Sequence, residues 1–173
     1  MTVTVNVSGV EKDLSGIIAK LRQLFSQQIG KESLQKIGNE VSNMIKVRTR
    51  LGYGVKSDNT ARDKLKPLKP ATVKSRVAKK KAGELSSLTT PKRSALTETG
   101  QLLDSIGVIS ISNGRVTIGP KGARTGSTLT NEKLAEYVTE QGRPFNNLSD
   151  KEIKKLIIFF KREISLLIAK ANI

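Results

Sequence analysis

The side chains best suited to chemistry in this chain are cations. Lys74, Arg76, Lys79, Lys80 and Lys81 fall within eight residues, and such a cluster suits contact with phosphates or with an acidic protein surface. Catalytic candidates are few. There is no His and no Cys, which removes the usual general base, the Ser-His and Cys-His nucleophile pairs, and imidazole or thiolate metal ligands. Glu136 and Glu140 stand four apart and share a helix face, but a solvated surface accounts for them. Gly122-Ala123-Arg124-Thr125-Gly126 lacks the spacing and the following lysine of a phosphate-binding loop. The acids are not clustered as a Mg²⁺ site requires. No enzyme activity, cofactor or metal is expected.

The cations belong to a larger segment. Residues 46–93 hold fifteen Lys and Arg against Asp58, Asp63 and Glu84, a net +12 out of +16 for the chain. Apolar residues thin out there, and Pro67, Pro70 and Pro91 interrupt it. Only 70–82 has the composition of a short helix, with Pro70 in its first turn and Gly83 past its end. The segment reads as an exposed, mobile basic arm, bounded at 52–95. Tyr53 is its only aromatic, so it offers no stacking platform for single strands. Nucleic-acid contact through it would be non-specific and backbone-driven. An acidic protein neighbour on which the arm orders is the favoured partner.

The rest of the chain must position this arm. At 173 residues a single domain over 1–173 is expected. Residues 2–8 alternate, with Val3, Val5 and Val7 on one face, as in a half-buried strand. Asn113-Gly114 is the preferred pair for a two-residue hairpin turn, because both positions take φ > 0. The implied register sets Ser112 opposite Arg115, then Ile111 with Val116, Ser110 with Thr117 and Ile109 with Ile118. Those four apolar residues then share one face. Helices are read from Asp13 or Glu11 through Phe25, over 31–50 with Leu34, Ile37, Val41, Met44 and Ile45 on one stripe, and from Asn131. Gly38 inside the second either weakens it or permits close packing. Leu96 to Ile106 gives a helical turn with Leu102, Leu103 and Ile106 inward. Ser149 and Glu152 have capping-box spacing ahead of a final helix. Its inward stripe is read as Ile153, Leu156, Ile157, Phe160, Ile164, Leu167 and Ile168. Ile158, Phe159 and Leu166 fall outside that stripe, which suggests a second contact surface such as a neighbouring subunit. The fold class is therefore α+β: a small antiparallel sheet, made of an N-terminal strand and a β-hairpin, packed with long amphipathic helices, with a long basic inserted arm. Met1-Thr-Val-Thr has no basic start or apolar core of a secretory leader. The longest apolar run, Leu156 to Phe160, is too short to span a bilayer. A soluble protein without membrane contact is expected.

Three stretches, in order, carry a resemblance. They are Lys66-Pro-Leu-Lys-Pro-Ala-Thr-Val, then Leu96-Thr-Glu-Thr-Gly-Gln-Leu-Leu-Asp-Ser-Ile before the hairpin, and Tyr137 to Gly142 followed by Arg143-Pro144-Phe145 before the last helix. Together with the order of strand and helices, they resemble the virion-morphogenesis, neck and tail-completion proteins of tailed phages. The chain departs from that pattern at Gln141, where members often carry His, and in the absence of a loop between Gly142 and Arg143. The resemblance implies a structural subunit of the head–tail junction. Such a subunit would join itself in a hexameric ring, touch connector, neck and tail-tube proteins, and reside in the virion after assembly in the host cytoplasm. The residues expected to serve assembly are Lys74, Arg76, Lys79, Lys80 and Lys81 in the arm, Arg143 and Phe145 as an anchor, and Phe159 and Leu166 as intersubunit contacts. The alternative reading is a non-specific DNA-binding protein acting through the arm.

Overall fold

The computed structural model describes residues 3–6, 28–56, 58–85, 87, 89–93 and 96–170. In chain order the elements are β1 (Val3–Asn6), α1 (Gln28–Arg50), β2 (Tyr53–Val55), β3 (Arg62–Lys64), α2 (Pro70–Lys81), α3 (Gln101–Asp104), β4 (Gly107–Ser112), β5 (Arg115–Gly119), α4 (Asn131–Glu140) and α5 (Asp150–Lys170). The fold is α+β with two small antiparallel sheets. The helix read from Asp13 or Glu11 through Phe25 lies outside the described residues. Among those described, no helix is long and apolar enough to cross a membrane.

The main sheet has the order β1-β5-β4. Its hairpin turns at Asn113 and Gly114, whose φ angles of 49° and 71° are those the dipeptide favours. Three expected pairs form: Ser112 with Arg115, Ile111 with Val116, and Ser110 with Thr117. Then a bulge between Val108 and Ser110 shifts the register, so Val108, not Ile109, faces Ile118. Ile109 is left exposed, which corrects its expected place on the apolar face. The cause lies across the sheet. A Cβ at Gly38 of α1 would collide with Val108, and would come within 2.9 Å of Val116 Cγ2. The bare helix backbone makes the slot that Val108 fills. Gly38 therefore serves close packing.

Leu34, Ile37, Val41 and Ile45 form the buried stripe of α1. With Leu102, Leu103, Ile106, Val116, Ile118, Phe145, Leu148 and Leu156 they make one core. α5 lies along α1 in the opposite direction: Lys36 pairs with Glu163 and Arg48 with Glu152.

The arm departs from its expected form. Residues 52–56 and 58–65 contain a second hairpin, with Tyr53, Gly54 and Val55 opposite Lys64, Asp63 and Arg62. Val55 and Leu65 are buried. Helix α2 follows, one residue shorter than its expected span. The described part of the arm is thus mostly folded onto the body. Its few apolar residues suffice because polar bonds to the body supplement them.

Candidate assembly interface

A polar hub fixes the arm to the body. Arg48 sits one turn beyond Ile45 on the inner stripe of α1 and is fully buried, as is Glu152 of α5. Its guanidinium donates to Glu152 Oε2 at 2.5 Å, to the Phe145 carbonyl, and to the Asn147 carbonyl at 2.8 Å. Glu152 Oε2 also accepts from the Ser149 amide at 3.0 Å and its hydroxyl at 2.9 Å. The first is the capping-box bond that the spacing predicts. The carboxylate then turns inward rather than to solvent. Burial pushes its pKa up. The Ser149 amide, the Arg48 charge and the Ser149 hydroxyl outweigh that and hold the group below the usual glutamate range. Arg62 of β3 reaches the other oxygen at 3.3 Å.

The tip of the arm hairpin completes the hub. Asn59 adopts φ 60°, a conformation Asn tolerates better than most residues. Its carbonyl accepts from the Asp150 amide at 2.9 Å, and its side-chain oxygen accepts from Asn147 Nδ2 at 2.6 Å. A backbone carbonyl thereby caps one of the free amides at the start of α5. The Val55 amide donates to the Pro144 carbonyl at 3.2 Å. The anchor segment and the arm hairpin therefore hold each other.

The expected contact residues divide three ways. Arg143 donates to the carbonyls of Lys66 and Pro67, at 3.3 and 3.5 Å, tying the anchor to the arm. Phe145 is wholly buried, so it anchors the core and presents no surface to a partner. Arg76 is buried too. It donates to Glu98 at 3.4 Å and to the Arg93 carbonyl at 3.3 Å, which corrects its expected role as an exposed contact. Lys79 pairs with Glu98 at 2.5 Å, and Lys80 bonds the Thr89 carbonyl at 3.0 Å. Hydrogen bonding from Lys79 is the main cause of a lowered Glu98 pKa; burial opposes it, and the charges of Lys79 and Arg76 add to it. Lys74 and Lys81 are exposed on α2, as is Lys80 despite its bond to the Thr89 carbonyl. The arm cations do not form one free patch.

On α5 the inner face runs through Glu152, Leu156, Phe159, Phe160 and Glu163. Phe159 packs against the core, which corrects its expected place off the stripe. Ile153 and Ile157, expected inward, are exposed instead. The helix is rotated because its two buried acids claim the inner face, Glu152 for Arg48 and Glu163 for Lys36. Leu166 is 46% exposed and Ile158 is 70% exposed. Ile153 and Ile157 form a shoulder beside the α1 contact, while Ile164, in line with them by helical spacing, packs against the core.

Comparison of the chain with known protein families, with characterised proteins and with solved structures returned no match. The Arg48–Glu152 hub escaped sequence reasoning. Its signal was the charged residue at the next stripe position after Leu34, Ile37, Val41 and Ile45.

Proposed function

We propose that this chain is a structural subunit of the head–tail junction of a tailed phage, joining itself side by side in a ring between connector and tail. The observation that carries the proposal is the exposed aliphatic shoulder of α5, Ile153 and Ile157, beside the packed core of the described residues. A row of isoleucines facing water beside a packed face favours a neighbour. The resemblance-bearing stretches support the same reading by their roles. Leu96 to Ile106 leads into the sheet, and Arg143-Pro144-Phe145 locks the arm hairpin against α5. Such stretches would hold a subunit rigid within a ring. The alternative, DNA binding through the arm, has less support, since Arg76, Lys79 and Lys80 are engaged within the chain.

The test is the mass in solution by light scattering at about 0.5 M salt, where repulsion between chains of charge +16 is screened. A discrete ring-sized oligomer is expected, and the Ile153→Glu/Ile157→Glu variant should be monomeric with an unchanged circular dichroism spectrum. A wild-type protein that stays monomeric at every concentration, or a variant that assembles as well as the wild type, would overturn the proposal.

A further inference from the structure

A second surface on α5 lies away from the isoleucine shoulder. Lys151, Lys154, Lys155, Lys161 and Arg162 are all exposed. At 100° per residue they occupy a fan of about 120° on the outward side of the helix. Past Asp150, the acids of α5 are Glu152 and Glu163, and both turn inward to Arg48 and Lys36. From Lys151 to Arg162 the fan holds no acid, and the exposed Asp150 stands at its N-terminal edge. Over that span the fan extends about 16 Å at 1.5 Å per residue. One strand of a duplex presents about five phosphates over that length, at 3.4 Å per phosphate.

From this juxtaposition we propose that the outward face of α5 binds the phosphate backbone of double-stranded DNA, without sequence preference. Several features select this partner. The cations repeat along a line, as a polyanion's charges do. The fan carries no aromatic residue, so single strands would find nothing to stack on. It holds one exposed aliphatic side chain, Ile158, which is too little apolar surface for a helix to lie in a bilayer. A helix face of this width fits a major groove of about 12 Å. The inference does not depend on ring assembly, because it uses different residues of the same helix.

The test is fluorescence anisotropy with a labelled random-sequence duplex of about 20 bp, titrated between about 50 and 200 mM salt. The wild type should bind with a log–log salt slope steeper than about −4, as five phosphate contacts at about 0.9 each require. Lys154→Gln/Lys155→Gln/Lys161→Gln should make the slope shallower by about 2.7. A charge-matched control, Lys64→Gln/Lys92→Gln/Lys133→Gln, should change it by less than about 1. Replacing the same three α5 lysines by Arg should restore binding, since the charge is kept. All of these positions are exposed, and unchanged thermal melts would confirm intact folding. The proposal is overturned if the wild type does not bind at low salt, if the control loses as much as the α5 variant, or if anionic vesicles compete better than unlabelled duplex.

Discussion

Helices α1 and α2 are both docked on the body, but by different forces. α1 is held by Leu34, Ile37, Val41 and Ile45, each fully buried and each worth about 1.5–3 kcal/mol. On α2 the less exposed side chains are Thr72, Val73, Arg76 and Lys79, and its side-chain bonds run to the Glu98 carboxylate and to the carbonyls of Arg93 and Thr89. Partly exposed ion pairs contribute about 1 kcal/mol or less each. The first helix is part of the core, and its loss is global unfolding. The second is fastened by charge, so salt and acid can release it while the core stands. Within a single chain, an apolar stripe marks the fixed body and a polar stripe marks the detachable part.

The comparison is broken most severely at Arg48–Glu152, an ion pair of the body with both side chains buried. Arg48→Met leaves the Glu152 carboxylate buried without its main partner, and should cost about 3–5 kcal/mol in urea unfolding. Arg48→Met/Glu152→Leu should recover more than half of that, because the stranded charge is gone. A double variant as unstable as the single would show that the Phe145 and Asn147 carbonyls, not the carboxylate, need Arg48. Next in size, Gly38→Val should cost about 1–3 kcal/mol by overpacking against Val108 and Val116. A neutral result would mean that α1 does not press on the sheet as closely as the slot implies.

The arm helix should respond on a smaller scale. Glu98→Gln should change the global unfolding midpoint little, about 1 kcal/mol or less. It should nevertheless speed hydrogen exchange of the α2 amides several-fold, with no change in α1. About 1 M salt should have the same effect on the wild type, because screening shortens to about 3 Å. Smallest and most diagnostic is the pH response. The folded Glu98 pKa lies below its ordinary 4.5, so the group's contribution is present above that value and is lost as pH falls through the folded pKa. Glu152 shifts in the same direction, so the body also weakens in acid. The difference in α2 exchange between wild type and Glu98→Gln isolates the arm. It should be largest at neutral pH and vanish in acid. A difference that persisted at low pH would remove Glu98 as the fastener.

Much of the fold was legible because it follows from period and punctuation. The α1 stripe, the inward Leu102, Leu103 and Ile106, the Asn113-Gly114 turn and the Ser149–Glu152 bond are all local patterns. The failures were choices between local options made by distant residues. Val108 and Ile109 are adjacent and both β-branched, so either suits an inward position, and Gly38 selects Val108 from across the sheet. On α5 the apolar residues spread beyond half the circumference, and the rotation is set by where Glu152 and Glu163 find cations. The arm hairpin has few apolar residues to announce it. Its stability comes from Asn59 and Arg62 reaching α5, bonds that span about half the chain. Of the expected contact residues, Lys74, Lys81 and Leu166 are exposed as anticipated. Arg76 carried the right chemistry for the wrong side of the surface, whereas Phe145 is the buried anchor its place after Arg143-Pro144 suggested.

The hub also sets a schedule. Arg48 and Glu152 are 104 positions apart, so during synthesis the first is made long before its counter-charge. Until α5 has left the ribosome, the end of α1 cannot close over a bare guanidinium, and the arm hairpin has no helix start to cap. Closing so long a loop comes late and slowly. The hub therefore stays open until α5 is made, and α5 closes it last.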